Sequence, residues 1–224
     1  MSDTFRPRLD ILPDALQRIW PELGQTPDHF TLYGGTAIAL RLGHRVSVDF
    51  DLFTLKSFEP HSLVTALPYL KGAVIRQSKA NTLTVTVDRG APVQLSFFGN
   101  LGIGQVASAD VAEGSRLKVA SLLDLAGMKA AVVTQRAEVR DYVDIYALLT
   151  KAKISLPQML AAALIIYGAE FNPLLSLKAI SYHGDTALAD LPHDLRRELA
   201  EAVKATDPAR LPNLNAVRRG EAAQ

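Results

Sequence analysis

Two aspartates two residues apart, Asp49 and Asp51, follow closely on the run Gly34-Gly35-Thr36, and together these residues could handle a phosphate and a metal ion. The apolar run from Phe30 to Tyr33 predicts a strand that enters the two glycines. A short helix-forming stretch, a basic turn and a second strand carrying the aspartates follow. Glycines between a strand and a helix let backbone N–H groups approach an anion, and a helix N-terminus favours negative charge, so the turn reads as a phosphate cradle. Strand side chains alternate, so Asp49 and Asp51 share one face while Phe50 points into the opposite layer. Two carboxylates on one face suit a hard divalent cation bound with substrate phosphates, Mg²⁺ in particular. A Gly-Gly turn alone is common, and an isolated Asp-x-Asp is usually a solvated strand face. The weight lies in their joint arrangement.

A second constellation lies far downstream. Val119 to Val133 is rich in Ala, Leu and Val, and Glu138 to Leu149 continues a helical pattern. Read as one helix, the segment places Lys129, Arg136, Arg140 and Asp144 at offsets of seven, eleven and fifteen, within about 80° of one another at ~100° per residue. A solvated charged stripe is the ordinary explanation of such a pattern. Here the flanking residues are mostly apolar. Lys129 would set a point charge against a triphosphate, Arg136 and Arg140 could clamp phosphate or orient carboxylates, and Asp144 supplies a carboxylate from a new direction. Asp141 lies off the stripe and reads as a local ion pair with Arg140 or a structural hydrogen bond. Tyr142 and Tyr146 lie four apart and read as packing, with stacking of either ring on a base as the alternative.

The order strand, Gly-Gly-Thr, helix, basic turn, strand, Asp-Phe-Asp resembles the signature of the nucleotidyltransferase fold of the DNA polymerase β-like superfamily. Within it, Gly-Gly-Thr-Ala-x-Ala-Leu-Arg-Leu-Gly-His-Arg-x-Ser-x-Asp-x-Asp resembles the AbiEii/AbiGii-type nucleotidyltransferase toxin family, and Lys-x₆-Arg-x₃-Arg-Asp-x-x-Asp resembles that family's second signature block. The resemblance is closest over residues 30–150. It implies transfer of a nucleoside monophosphate from an NTP, with Mg²⁺, to an acceptor hydroxyl by the toxin of a toxin–antitoxin pair. RNA such as tRNA is the implied acceptor and a cognate antitoxin protein the implied partner. The implied catalytic residues are Asp49, Asp51, Lys129 and Asp144, with Asp49 and Asp51 as metal ligands. The implied nucleotide-binding residues are Gly34, Gly35, Thr36, Arg45, Ser47, Arg136 and Arg140. The sequence departs from the fold's usual pattern in its third strand, where Gln94 and Ser96 stand in the region that commonly carries a third carboxylate. Two alternatives stay open. One is a nucleotidyltransferase acting on a small molecule or protein; the other is a nucleotide-binding module without turnover, to which Gln94 and Ser96 give weight.

The rest of the chain has to position these groups. With 224 residues, 48% hydrophobic and 21% charged, it can bury a sizeable core in one or two domains. Lys and Arg number 24 against 23 Asp and Glu, so any RNA contact must be local, on a basic rim around Arg41, Arg45, Lys129, Arg136 and Arg140. There are no cysteines, no signal-peptide pattern and no run of transmembrane length, which together suggest a cytoplasmic protein without a membrane partner. A first helix is expected from Pro13, with Leu16, Ile19, Trp20 and Leu23 on its apolar side and an interruption at Pro21. Another is expected over Glu59 to Leu67, with Pro60 at its first position. Ala73 to Gln77, Thr82 to Val87 and Val93 to Phe98 predict strands that continue a mixed sheet in antiparallel fashion.

From Leu117 the period changes from two to 3.6. Leu156 to Tyr167 and Leu191 to Ala205 predict helices, with Asn172-Pro173 and Asp207-Pro208 as breaks. Ser181 to Asp185 bears a weaker resemblance to a segment of the same family, and the tail after Leu211, with Arg218 and Arg219, reads as mobile. The expected fold is therefore α/β (α+β): a nucleotidyltransferase domain with a mixed sheet over residues 1–114, and a helical part over 115–224 that completes the active-site cleft.

Overall fold

The computed structural model describes residues 4–182, 184 and 186–218. His183, Asp185 and Arg219, named above, lie outside the described residues. The chain folds as two compact units, one running through Leu101 and including Ala109–Ala120, the other made of Gly102–Ser108 and the chain from Ser121 onward.

The first unit is built on a mixed sheet. Its elements are β1 (Thr4–Phe5), α1 (Asp14–Ile19), β2 (Thr31–Tyr33), α2 (Gly34–Leu42), β3 (Asp49–Phe53), α3 (Pro60–Ala66), β4 (Val74–Lys79), β5 (Thr82–Asp88), β6 (Pro92–Phe98), β7 (Asp110–Ala112) and β8 (Lys118–Val119). The strands are ordered β1-β7-β8-β2-β3-β6-β5-β4. β3 runs antiparallel to β2 and parallel to β6, and β6, β5 and β4 form an antiparallel meander, as the sequence pattern requires. Alternation divides the sheet cleanly. Phe50, Leu52, Leu83, Val85, Leu95 and Phe97 are buried on one face, where Trp20 and Phe30 meet them; the Trp20 and Phe50 ring centroids are 6.2 Å apart, and Phe30 sits edge-on to Phe97 at 5.5 Å.

Pro13 directly precedes α1, and Pro21, which has no N–H to continue a helix, leads into a 3₁₀ turn over Glu22–Gln25. The short strands β1, β7 and β8 have only two or three residues each. They are gathered by one cation on α2: the Arg41 guanidinium pairs with Asp110 at 2.8 Å, donates to the Val119 carbonyl at 3.0 Å and lies 4.3 Å from the centre of the Phe5 ring.

The second unit is helical: α4 (Leu122–Val132), α5 (Val139–Thr150), α6 (Leu156–Tyr167), α7 (Pro173–Ser181) and α8 (His193–Lys204). Ser121 caps α4 by accepting the Asp124 N–H at 3.0 Å, and the buried Asp124 carboxylate accepts the Val106 and Ala107 N–H groups at 2.7 and 3.0 Å, fastening the Gly102–Ser108 segment to the helix. Ser155 and Gln158 form a capping box at α6, and Asn172 caps α7 with Pro173 in its first turn.

The segment read from sequence as one helix is two. α4 ends at Val132 and α5 begins at Val139, with no Gly or Pro between them. Val132, Val133 and Thr134 are three successive β-branched residues, and the Thr134 hydroxyl bonds back to the Ala131 carbonyl at 2.8 Å, drawing the backbone out of the helix. No helix among the described residues is long and apolar enough to cross a membrane.

α4 and α6 cross closely at Gly127. A Cβ there would lie 2.8 Å from the Ala162 carbonyl carbon and the Ala163 nitrogen, and 2.9 Å from the Ala162 Cβ. Backbone atoms cannot yield as a flexible side chain can. Gly127→Val is therefore expected to destabilise the helical unit by about 1–3 kcal/mol through overpacking, read as a lower urea midpoint in equilibrium unfolding.

Candidate active site

The β2–α2 turn sets the geometry of the first cluster. Gly34, the first residue of α2, has φ +75°, a left-handed conformation that side chains resist. A Cβ on Gly34 would stand 2.6 Å from Asp51 Oδ2, so a hydrogen is all the space allows. Asp51 is the register partner of Tyr33 on β2, which brings its carboxylate to the start of the helix. Backbone N–H groups in a first helical turn have no intrahelical acceptor, so the helix start beside Asp51 presents donors as well as the positive end of the helix dipole.

Thr36 ties the pieces together. Its hydroxyl meets Ser47 Oγ at 2.6 Å, donates to the Asp49 carbonyl and lies 3.3 Å from Asp49 Oδ1. Arg45 donates to the Val46 carbonyl at 3.0 Å and to Ser47 Oγ at 3.4 Å. The structure thus brings Gly34, Gly35, Thr36, Arg45, Ser47, Asp49 and Asp51 to one corner of the first unit. Asp49 and Asp51 are half-buried and face the same way, whereas Phe50 between them is fully buried. Their partners on β6 are Gln94 and Ser96. Among the described residues no group of three or more His, Cys, Asp or Glu side chains is placed to hold a metal by itself. Mg²⁺ commonly takes one or two carboxylates and completes its shell with water and substrate phosphate oxygens. The Asp49/Asp51 pair, beside a glycine that leaves no room for a Cβ, meets that donor requirement.

The second cluster lies in the helical unit. Lys129 Nζ is 2.5 Å from Asp141 Oδ1 and 2.8 Å from Asp144 Oδ2, with both carboxylates wholly buried. Arg136 Nε meets Asp141 Oδ2 at 2.9 Å, and its Nη1 is 3.3 Å from Glu138 Oε1. Arg140 pairs with Glu138 at 2.5 Å. Two expectations change. Lys129, Arg136, Arg140 and Asp144 do not form one helical stripe, because Lys129 is on α4, Arg140 and Asp144 are on α5 and Arg136 is in the turn between them. Asp141, expected to make a local ion pair beside Arg140 or a structural hydrogen bond, joins Lys129 to Arg136. Asp141 and Asp144 are three apart and share a helix face, so correct placement of the helix break reveals the pair. Asp141 also lies in the first turn of α5, where the helix dipole favours a carboxylate. Tyr142 packs as expected, its hydroxyl donating to the Ala179 carbonyl at 3.0 Å.

The model of the family described as "Nucleotidyl transferase AbiEii toxin, Type IV TA system" matches residues 16–219. The chain belongs to the AbiEii toxin family of nucleotidyltransferases. A relative of this AbiEii-family chain, an uncharacterized protein of Aquifex aeolicus (strain VF5), is 31% identical over 140 residues, 62% of this chain. The match spans 65% of that protein's length, just under two thirds. Two solved structures share the fold. A candidate nucleotidyltransferase from H. pylori aligns at a TM-score of 0.54 with 17% identity, over 85% of this chain and 90% of its own. MenT4, a nucleotidyltransferase toxin from Mycobacterium tuberculosis H37Rv, aligns at 0.54 with 13% identity, over 86% of this chain and 82% of its own. At these identities the likeness is one of fold: a mixed sheet with helices, as the sequence leads one to expect.

Two substitutions separate the clusters' roles. Gly34→Ala combines a left-handed conformation with a contact on the Asp51 carboxylate, so about 1–3 kcal/mol of stability should be lost and Asp51 displaced. Thermal melting and Mg²⁺ titration of the same sample would read both effects, and an unchanged melting temperature would count against the steric argument. Lys129→Met leaves two buried carboxylates with one cation fewer, and a loss of about 3–5 kcal/mol is expected, seen as a lower denaturation midpoint.

Proposed function

We propose that this AbiEii-family protein transfers a nucleoside monophosphate from an NTP to a hydroxyl of an RNA acceptor, tRNA being the foremost candidate. It would do so with Mg²⁺ in the cytoplasm, as the toxin restrained by a cognate antitoxin protein. The observation that carries the reading is the Asp49/Asp51 pair, held on one face of β3 against the N-terminus of α2 with only Gly34 between helix and carboxylate. Phosphate would be received by the backbone N–H groups of Gly35 and Thr36, since the Thr36 hydroxyl is already engaged by Ser47 and Asp49. Arg45 and Ser47 would border the phosphates. Asp49 and Asp51 would hold the Mg²⁺, which, when bound, supplies charge neutralisation for the transferred and leaving phosphates.

For the helical unit, the family's second signature block supports a part for Lys129, Arg136, Arg140 and Asp144 in the transfer reaction. The Lys129–Asp141 contact makes Asp141 a positioning residue that holds the lysine ammonium in place. A second reading, nucleotide binding without turnover, draws on Gln94 and Ser96, which occupy the β6 positions beside Asp49 and Asp51 where a third carboxylate would stand.

Labelled-NTP incorporation into total RNA, with and without Mg²⁺, decides between them. Wild-type protein should label RNA only with Mg²⁺. Asp49→Asn with Asp51→Asn should lower incorporation by at least about a hundredfold while the melting curve moves little. NTP binding without any incorporation would favour the second reading, and full incorporation by the folded double variant would remove the carboxylate pair from the mechanism.

A further inference from the structure

An acceptor hydroxyl that reacts at Asp49 and Asp51 belongs to a longer molecule, which must cross the sheet surface beside them. Register maps that surface. The row from Asp51 runs through Ser96 on β6 and Thr84 on β5 to Gln77 on β4, and the row from Phe53 runs through Phe98 and Thr82 to Lys79. The row from Asp49 passes Gln94 and Thr86 to Val74. Beyond the two aspartates these rows hold hydroxyls, amides, an aromatic pair, Lys79 and the exposed Val74, and no carboxylate. Asp88, at the end of β5, lies past them opposite Pro92 and accepts the Gly90 N–H at 2.7 Å.

The far side of this face is basic. β4 is the sheet edge, every residue in it is exposed, and it contains no acidic residue. Its register shifts between Ile75 and Gln77, leaving Arg76 as the extra residue. A bulged, cationic edge strand is an ordinary defence against edge-to-edge pairing, and threonine is a good strand former in any case. Neither accounts for the direction of Arg76. Its Nε donates to Thr86 Oγ1 at 3.1 Å, so the guanidinium stem is drawn onto the same face as Asp49 and Asp51. Three strand spacings, about 14 Å, separate β3 from β4. Beside Asp51 on this face, Phe53 and Phe98 meet edge to face at 5.3 Å, both half-buried.

We propose that the open face of β6, β5 and β4 is the acceptor track for single-stranded RNA, a proposal that rests on the nucleotidyl-transfer reading above. Arg76 and Lys79 take backbone phosphates, the threonine hydroxyls of β5 face the sugars, and the half-buried Phe98, edge-on to the Phe53 ring that stacks on Tyr33, offers a stacking surface to a base near the reacting end.

The test uses the full chain with Arg76→Glu and Lys79→Glu combined, both exposed positions, and with Lys204→Glu on α8 as an exposed cation elsewhere. Binding of a fluorescent, unstructured oligoribonucleotide with a free 3′ hydroxyl is followed by anisotropy over a salt series, and NTP binding with Mg²⁺ by calorimetry. The double variant should bind the RNA about tenfold or more weakly near ~0.1 M salt, with the slope of log affinity against log salt smaller by about 1.4. Its NTP affinity and melting temperature should match wild type, and Lys204→Glu should bind RNA like wild type. Unchanged RNA affinity in the double variant, an equal loss in Lys204→Glu, or no RNA binding by wild type would each overturn the track. Failure of wild type to bind NTP would instead overturn the nucleotidyl-transfer reading, while the RNA titration still decides the track.

Discussion

The alternation of β3 is the constraint on which the site depends. Phe50 and Leu52 are wholly buried against the core of the first unit, and Asp49, Asp51 and Phe53 stand on the other side. A slip of one residue would drive both carboxylates into that core and bring the two apolar side chains out. Burying unpaired carboxylates is far more costly than any turn can offset. Hydrophobic burial on one face therefore fixes which way the acidic pair looks. The Thr36 hydroxyl then fixes the strand's start, because it contacts Ser47 and Asp49 from the first turn of α2.

The helical unit solves the opposite problem. Asp141 and Asp144 are buried completely, so their charge has to be met within the protein, and Lys129 with Arg136 meets it. Two carboxylates and two cations make this network neutral in sum, which suits a rigid arrangement more than a net attraction for anions. At Asp49 and Asp51 the carboxylates are only half-buried beside a helix start that offers N–H donors. A cation and an anion together, such as a metal-bound triphosphate, complement that corner; either alone would complement only half of it.

What was legible in the sequence follows from how local each signal is. α3, α6 and α8 and strands β4, β5 and β6 carry runs of seven or so residues or more, punctuated by Pro60, Asn81, Gly90 and Pro192, and their extents match expectation closely. The strands β1, β7 and β8 are too short to show alternation, and what holds them is the reach of Arg41 from α2, a long-range contact that no local pattern encodes. The Gly34–Asp51 corner was legible because its residues are close in the chain. The second cluster was legible in composition and wrong in geometry. Its helix break contains neither glycine nor proline, so a continuous helix fits the pattern, and the pattern does not show that Asp141 reaches Lys129 on the preceding helix.

The absence of a carboxylate from β6 has a physical counterpart in the register. Gln94 and Ser96 are the parallel partners of Asp49 and Asp51, and Ser96 is nearly buried, its hydroxyl 3.4 Å from that of Thr84. An acidic residue at either place would face an aspartate directly across the ladder, a pairing of like charges that weakens a sheet unless a cation is always present. Two carboxylates balance the charge of one divalent ion. A third would leave on that face an excess of negative charge that one divalent ion does not balance. The hydroxyl and amide side chains of β6 thus set no like charge across the ladder from Asp49 and Asp51, and the pairing of β3 with β6 needs no cation to hold it.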